Sequence, residues 1–568
     1  MWGMRLAMRA LRSLSGVGLM LGTLFFAASL TPSLVPRTYL TQGVLAGASF
    51  AAGYGLGVGW RWLWHYLELP APQEFWRRRV NAVMAVICLG VALVFLLRAA
   101  DGQNSIRAVM GMAPVESAHP VKLCLTALAT FAVLLALGRL FALAARAIAA
   151  RAHRLVPRRV ANVVGLGLAT LLFWSLANGV LIRAAFPLLD SSFQRYDALL
   201  EPERPRPDDP LQSGGPDSLV SWRELGRAGR EFVASRATAA EISALSARPA
   251  KQPIRLYVGL RAAEDTEGRA RIALEEMKRA GAFDRKALVV ITPTGTGWVD
   301  PSAMNAAEFL LDGDVASIGL QYSYLSSPLS LLAHPEYGAD AARALFNAVY
   351  AHWTTLPREQ RPKLYLHGLS LGALNSQSSV EMLEMIGDPI DGALWSGPPF
   401  GSRLWRSLTN GRNPGSPAWR PEYRDGRFVR FMNQHGTSVP ADAPWGALRL
   451  VYLQYASDAV TFFDYRDFYR RPAWLDAPRG PDVSPRLRWY PVVTALQIAL
   501  DMAVATTPPM GYGHVYAPEH YVDAWLAVTG VEGWSAEAVQ RLKHQLAEQA
   551  RRAGEGAGDE ASYSNRGG

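Results

Sequence analysis

The sequence predicts two structural classes in succession: an α-helical transmembrane domain with five spans, and then an α/β domain with a mostly parallel sheet. Three observations support this. The chain has 568 residues, which is too long for one ordinary domain. Nearly all of its long apolar runs lie before residue 184. After residue 253, apolar runs of strand length alternate with helical patterns, as in a sheet covered by helices on both faces.

The predicted transmembrane domain covers residues 1–183. Each of its five apolar runs is close to the ~20 residues that a helix needs to cross a bilayer. The runs are residues 17–35, 43–60, 80–97, 123–145 and 160–182. In the second run, the glycines at 53, 55, 57 and 59 have no strand before them. They therefore predict close packing of helices rather than a nucleotide-binding loop.

Basic residues predict the orientation of this domain. Twelve arginines precede the first run or lie between runs two and three or four and five: Arg5, Arg9, Arg12, Arg61, Arg77, Arg78, Arg79, Arg146, Arg151, Arg154, Arg158 and Arg159. The opposite loops hold four basic residues: Arg37, Arg98, Arg107 and Lys122. Basic loops stay in the cytoplasm, so the amino terminus is predicted inside and everything after Arg183 outside. These arginines also account for much of the net charge of +10, so we expect no nucleic-acid partner.

Composition divides the rest of the chain. The Pro-rich, charged stretch 201–210 predicts a linker over residues 184–252. The α/β domain is expected over 253–552, with an irregular insertion at about 400–446 that is either a lid or a surface excursion. Residues 553–568 hold mostly glycine, serine and charge, which predicts a disordered tail.

The α/β pattern predicts six strands, with helices at 266–280 and 339–353. The strands are residues 254–260, 287–292, 315–321, 363–367, 392–395 and 448–455. A further strand is expected between residues 458 and 514, but residues 492–504 have the pattern of an apolar helix. Residues 487–490 are the remaining candidate for that strand.

The candidate nucleophile is Ser370, in the Gly-x-Ser-x-Gly pattern of residues 368–372. A strand precedes this pattern and a helix follows it. That arrangement is typical of a nucleophile elbow, in which a strained turn lifts the serine hydroxyl above the sheet. It predicts an α/β-hydrolase domain, in which the acid and then the histidine follow the serine along the chain.

Only four histidines follow Ser370. His435 precedes the best acid strand, and His544 is in a polar C-terminal helix. His514, in a Gly-rich loop, is therefore the predicted base, with His520 in reserve. Asp458 comes just after the buried strand 448–455 and is the predicted acid, because it would orient the imidazole and stabilise its charged form.

An oxyanion hole needs two backbone N–H groups aimed at the developing negative charge. One is expected from Leu371, the residue after the nucleophile. The other is expected from the Gly-rich loop after an early strand, where Thr296 and Gly297 are the candidates. Together these residues predict a serine hydrolase in which Ser370 attacks an acyl carbonyl and His514 moves the proton.

Several stretches resemble a bacterial family of membrane-anchored α/β-hydrolases with a five-helix N-terminal domain. They are Ser-Leu-Thr-Pro-Ser-Leu-Val-Pro-Arg at 29–37, Ser-Gly-Gly-Pro at 213–216, Thr-Pro-Thr-Gly-Thr-Gly-Trp at 292–298, Gln-Tyr-Ser-Tyr at 321–324, the elbow at 368–372, Gly-Pro-Pro-Phe at 397–400, Tyr-Leu-Gln-Tyr-Ala-Ser-Asp at 452–458 and Gly-Tyr-Gly-His at 511–514. The family usually has other residues at Tyr455, Ala459 and Tyr512. None of these departures removes a triad candidate.

The resemblance implies an enzyme similar to hydrolases that remove amino acids, notably alanine, from aminoacylated phosphatidylglycerol. It implies a multi-pass protein of the bacterial cytoplasmic membrane, a catalytic domain on the periplasmic side and a membrane lipid as substrate. The free ammonium of such a substrate would favour a nearby carboxylate. Asp300 is a candidate for that role, and Trp298 is a second candidate for substrate binding.

Two other functions stay open from the sequence. One is a general lipase or short-chain esterase. The other is a non-catalytic membrane scaffold or transport component, although the apolar runs hold few charged residues for an ion pathway. The two cysteines, Cys88 and Cys124, lie in apolar runs, and no zinc-ligand spacing or phosphate loop occurs. We therefore expect no metal and no cofactor; the sequence does not predict an oligomeric state.

Overall fold

The computed structural model describes residues 14–70, 74–179, 186–202, 204–327, 329–330, 336–379 and 387–564. The chain divides into two compact units. The first, which we call the helical unit, comprises Met1–Val180 and Phe463–Pro509. The second, the sheet unit, comprises Leu181–Phe462 and Met510–Gly568. Residues 463–509 thus leave the sheet unit and join the helical unit before the chain returns at Met510.

The helical unit contains seven α-helices within its described residues. They are α1 (Gly16–Ser29), α2 (Tyr39–Tyr66), α3 (Glu74–Leu97), α4 (Ala99–Val109), α5 (Pro120–Ala152), α6 (Arg158–Ala177) and, from the later segment, α16 (Val493–Ala503). Three helical stretches are long and apolar enough to cross a membrane: Arg79–Val109, Pro120–Ala152 and Arg158–Ala177. Five spans were predicted, and three helical stretches have the length and hydropathy of a span. The helix of the first predicted span, α1, has only 14 residues.

The surface of these helices is rich in large apolar side chains that no other part of the unit covers. Val86 is 73% exposed, and Leu89, Val121 and Val163 are each 71% exposed. An exposed apolar surface of this extent is unusual in a water-soluble protein and fits a lipid environment.

The four glycines at 53, 55, 57 and 59 in α2 divide into two pairs. A Cβ added at Gly53 would lie 2.5 Å from the Leu21 carbonyl oxygen, and one at Gly57 would lie 2.6 Å from the Gly18 Cα. At Gly55 and Gly59 it would meet nothing within 4 Å. Close packing of α1 against α2 therefore requires the first pair, as predicted, and does not require the second.

The later segment is held in the helical unit by a buried ion pair. Arg37 Nη2 lies 2.6 Å from Asp501 Oδ1 on α16, and both side chains are fully buried. Asp501 also accepts hydrogen bonds from the Leu34 backbone N–H (2.9 Å) and the Ser33 hydroxyl (3.2 Å). The loop 29–37 thus forms the docking surface for α16. Residues 487–490, the candidate strand, belong to this unit and are not in the sheet.

The sheet unit has eight strands in the order β1-β3-β2-β4-β5-β8-β6-β7. They are β1 (Ile254–Val258), β2 (Ala287–Thr292), β3 (Val315–Leu320), β4 (Lys363–Leu369), β5 (Gly392–Ser396), β6 (Val429–Asn433), β7 (Gly436–Thr437) and β8 (Arg449–Leu453). All neighbours pair in parallel except the β6–β7 hairpin. The central strands β2, β4 and β5 are buried except for Lys363 at the start of β4, because helices cover both faces.

Eleven α-helices accompany this sheet among the described residues. They are α7 (Phe186–Ala198), α8 (Gly226–Ala234), α9 (Ala239–Ser246), α10 (Thr266–Arg279), α11 (Pro301–Leu310), α12 (Tyr337–Thr355), α13 (Leu371–Ser378), α14 (Arg403–Asn410), the single turn α15 (Ala459–Phe462), α17 (Pro518–Thr529) and α18 (Ala536–Ser564). The last helix extends into the stretch predicted as a disordered tail; residues 565–568 lie outside the described part of the chain.

Two predicted connections contain more structure than their composition indicates. The linker 184–252 contains three helices and belongs to the sheet unit. Within it the Arg230 side chain is fully buried, and its Nε lies 2.9 Å from Glu201 Oε2. The insertion 400–446 contributes β6, which pairs with β8 in parallel. A strand was expected between Asp458 and His514. The place next to β8 in the sheet is instead taken by β6, which comes before Asp458 in the chain.

Candidate active site

Ser370 lies at a sharp turn between β4 and α13. The strand ends at Leu369 and the helix begins at Leu371. Ser370 has φ 56° and ψ −124°, a backbone conformation that a residue with a side chain adopts at a cost of ~1–3 kcal/mol. Its backbone N–H donates to the Ser396 carbonyl at the end of β5 (2.9 Å). This is the strained geometry of a nucleophile elbow.

The two elbow glycines are required by close backbone contacts. A Cβ at Gly368 would lie 2.5 Å from the Gly372 carbonyl carbon. A Cβ at Gly372 would collide with the Thr292 carbonyl oxygen at the end of β2. Both positions therefore exclude any residue larger than glycine, because the obstructing atoms are backbone.

Asp458 and His514 are brought together by two loops. Asp458 follows β8 by five residues, and its Oδ2 lies 2.7 Å from His514 Nδ1. The acid is fully buried and the imidazole is 9% exposed. The Gly513 backbone N–H donates to the Ser457 hydroxyl at 2.9 Å, which fixes one loop to the other beside the contact between Asp458 and His514. A proton on Nδ1 leaves Nε2 as the free base.

The imidazole also lies against the residues that hold the nucleophile. A Cβ added at Gly397 would lie 2.6 Å from His514 Cε1, and Gly397 directly follows Ser396, the acceptor for the Ser370 amide. His514 Nε2 is buried and has no hydrogen-bond partner among the described residues.

Asp458 also accepts hydrogen bonds from two residues just after it in the chain and from Tyr516. The Val460 backbone N–H donates to Oδ1 at 2.9 Å. The Tyr516 hydroxyl and the Thr461 hydroxyl donate to Oδ2 at 2.8 Å and 3.2 Å. Sequence reasoning did not single out Tyr516. The only available signal was its position two residues after the predicted base, in a loop.

His520, the reserve candidate, has a different environment. Its Nδ1 pairs with the Tyr455 hydroxyl at 2.6 Å, and the Ala517 N–H donates to the same hydroxyl at 3.1 Å. Burial, with smaller contributions from Lys543 and His435, lowers the pKa of His520 to about 4. The hydrogen bonds place His514, and not His520, on Asp458.

The two oxyanion candidates in the Gly-rich loop differ in their hydrogen bonds. The Gly297 N–H donates to the Thr294 carbonyl within the turn (2.9 Å) and is therefore occupied. For the amides of Thr296 and Leu371 the described residues provide no acceptor. Of the original pair, the structure therefore favours Thr296 as the partner of Leu371.

The two substrate-binding candidates, Trp298 and Asp300, both make hydrogen bonds within the protein. The Trp298 indole N–H donates to Glu231 Oε1 at 3.3 Å. Asp300 Oδ1 accepts from the Ser302 N–H at 2.9 Å, so this carboxylate caps α11. Burial raises the pKa of Asp300 to about 6, against a smaller lowering by its hydrogen bond to Ser302. The geometry assigns Asp300 a capping contact rather than a place open to a ligand.

Comparison with known families agrees with this arrangement. A model described as an alpha/beta-hydrolase family matches residues 254–542, and one described as the N-terminus of that family matches residues 30–236. Comparisons with curated proteins and with solved structures found no match. The first match alone covers just over half of the chain, and the chain therefore belongs to an alpha/beta-hydrolase family.

Proposed function

We propose that this protein is a serine hydrolase that cleaves carboxylic esters with Ser370 as nucleophile, His514 as base and Asp458 as the acid. The observation that carries the proposal is the 2.7 Å contact between His514 and the fully buried Asp458, in the same unit as the strained elbow at Ser370. A buried carboxylate on Nδ1 is what a histidine needs to take a proton at Nε2.

The chemistry follows from these positions. Ser370 Oγ attacks the acyl carbonyl carbon while His514 Nε2 takes the hydroxyl proton, and the Asp458 charge stabilises the imidazolium. The negative oxygen is stabilised by the amides of Leu371 and Thr296. The leaving alcohol takes the proton from Nε2, which leaves an acyl-enzyme. Water then attacks this ester with His514 again as base, and the carboxylic acid is released.

A fluorophosphonate probe tests the mechanism. The full-length protein in detergent should be labelled at Ser370, and Ser370→Ala should abolish labelling. Ser378→Ala is the matched control. Ser378 ends α13, the helix that follows Ser370, and its hydroxyl donates to the Leu374 carbonyl within that helix, so its loss should leave labelling unchanged. Labelling that persists in Ser370→Ala would contradict the mechanism.

We further propose that the protein is anchored in the bacterial cytoplasmic membrane by its helical unit, with five crossings and the sheet unit on the periplasmic side. The supporting observations are the three helices of sufficient length and hydropathy, their exposed apolar side chains and the arginine distribution. An anchored enzyme meets lipid headgroups at a high effective concentration.

The proposed substrate is an aminoacyl ester of phosphatidylglycerol, with alanine as the acyl group, on the basis of the family resemblance. The test uses purified protein and alanyl-phosphatidylglycerol in vesicles, with separate labels on alanine and on a fatty acyl chain. Release of alanine, absent in Ser370→Ala, is expected. Release of fatty acid instead would identify a general lipase, and release of neither would contradict the substrate assignment.

A further inference from the structure

We propose that Tyr516 is a positioning residue that sets the basicity of the Asp458–His514 pair through its hydrogen bond to the acid. The inference rests on the proposed serine hydrolase mechanism. The Tyr516 hydroxyl is 2.8 Å from Asp458 Oδ2, the same oxygen that His514 Nδ1 contacts at 2.7 Å. With the Thr461 hydroxyl at 3.2 Å, three donors therefore share this one carboxylate oxygen, and His514 and Tyr516 make the two shorter contacts.

The Tyr516 hydroxyl is held in this role by its surroundings. Burial, together with the charge and hydrogen bond of Asp458, raises the pKa of Tyr516 well above its usual value, so the hydroxyl stays protonated and donates. The ring stacks on Tyr455 at 4.5 Å and meets the His514 ring edge-on at 5.9 Å. A phenylalanine retains these ring contacts and removes only the donor.

The effect has a defined sign. A hydroxyl that donates to Oδ2 withdraws negative charge from the oxygen that stabilises the imidazolium. With the hydroxyl removed, the carboxylate holds the protonated imidazole more strongly. The base is then lost at a higher pH, so the acid limb of the activity profile moves up. A hydrogen bond to a charged group corresponds to about 1 to 2 pH units on that group, and about half of this passed on to the imidazole is a move of about 0.5 to 1 pH unit.

Other titratable groups pack around this pair and stay unchanged in the test. Tyr455 and Tyr521 face Tyr516, and His520 faces Tyr455. Asp300 faces Tyr521, and its pKa of about 6 lies in the working range. Because each is present in both the parent and the variant, the difference between their profiles isolates the Tyr516 hydroxyl.

The experiment compares the parent, Tyr516→Phe and Tyr452→Phe as full-length proteins in detergent. Tyr452→Phe is the matched control, since it removes a buried hydroxyl that donates to Gln377 at 2.9 Å. The readout is kcat/KM for p-nitrophenyl butyrate, a neutral ester with no ionising group of its own, from pH 5 to pH 9. The Tyr516→Phe acid limb should lie about 0.5 to 1 pH unit above the parent, and the Tyr452→Phe limb should coincide with it.

If Tyr516→Phe does not fold, a second variant tests the same hydrogen bond. 3-Fluorotyrosine at position 516 keeps the shape and makes the hydroxyl a stronger donor, so the acid limb should move down. An unchanged limb in either folded variant, even with a lower rate, would show a packing role only and overturn the proposal. A shift equal to that of Tyr452→Phe would also overturn it. These outcomes are distinct from failure of the hydrolase proposal, which appears as fluorophosphonate labelling that survives Ser370→Ala.

Discussion

Asp300 shows how residue type and sequence position can suggest a role that the local backbone does not support. Next to the Gly-rich loop, an aspartate suggests a binding site for a substrate ammonium. In the structure it is 7% exposed and caps α11. The capping role follows from one residue that the sequence also shows, the proline at the first position of the helix.

We predict that Asp300→Asn stabilises the protein at alkaline pH. Asn is an equally good helix cap and carries no charge to bury. The carboxyl has a pKa of about 6 when folded against an ordinary value of 3.8. The folded state therefore holds the proton more tightly, and burying the charged form opposes folding above pH 6. The gain should be about 1–3 kcal/mol at pH 8 and should disappear as the pH falls from about 6 to about 4.

Unfolding of the full-length protein in detergent, measured at pH 4, 6 and 8, checks this prediction. The same variant separates the two roles of Asp300. With a capping role, KM for an aminoacyl lipid is unchanged. A KM that rises at least tenfold while stability at pH 8 is unaffected would restore the ammonium-binding role.

Single residues of the site were predictable to different degrees. Ser370 has a local signature in its flanking glycines, and chain order reduces the choice of acid and base to a few residues. Tyr516 has no such signature. Its contact with Asp458 arises from the fold of two loops that are 58 residues apart, and nothing in its own neighbourhood marks it.

At the level of elements, burial decides which strands the sequence reveals. β2 is predicted with both ends correct, because every residue from Ala287 to Thr292 is buried and the run is continuously apolar. β6 was missed although all its residues are buried too. Arginine, proline and aromatic residues surround it, and Arg430 lies within it over the Trp445 ring (3.9 Å). An arginine that is buried against an aromatic ring interrupts the apolar pattern of the sequence, although the strand itself remains buried. The pattern therefore does not reveal β6 as a buried strand.

The attachment of α16 gives a second prediction. Asp501→Asn leaves Arg37 buried beside a neutral group, and loss of one partner of a buried ion pair costs about 3–5 kcal/mol. The amides of α16 should then exchange with deuterium about 10²- to 10⁴-fold faster, because the segment opens more often. Hydrogen–deuterium exchange with mass spectrometry of the full-length protein measures this.

The matched control replaces both partners. Arg37→Met with Asp501→Leu removes the charges together, and exchange in α16 should return most of the way to that of the parent. If Asp501→Asn alone leaves the exchange of α16 unchanged, the ion pair does not hold the segment, and the apolar contacts of α16 with α1 and α2 do so instead.

For the whole molecule, composition predicts a boundary at residue 183, and the first stretch of the helical unit ends at Val180. Composition could not show that residues 463–509 return to the first unit. That assignment depends on a polar docking surface, the loop 29–37, whose partners lie more than 450 residues later. Hydropathy along the chain contains no information about such pairs.

The proposed topology predicts a labelling pattern. In a background with Cys88 and Cys124 replaced by alanine, Glu359→Cys places one thiol on an exposed turn of the sheet unit. A membrane-impermeant maleimide should label it in intact spheroplasts, because basic loops keep the opposite side cytoplasmic. His153→Cys, in the exposed turn between α5 and α6, should be labelled only after lysis. The reverse pattern would place the sheet unit in the cytoplasm.

The return of residues 463–509 to the helical unit also affects how the chain is made. Translation proceeds from the amino terminus, so α1 to α6 emerge and can insert while the docking partner of loop 29–37 is still more than 300 codons away. All eight strands are complete by Leu453, yet His514 is synthesised only after the segment that belongs to the first unit. Of the three residues of the proposed triad, His514 is therefore synthesised last. A fragment that begins near residue 184 would release from the ribosome with an apolar helix, α16, and without the surface that covers it, which favours aggregation over a soluble hydrolase.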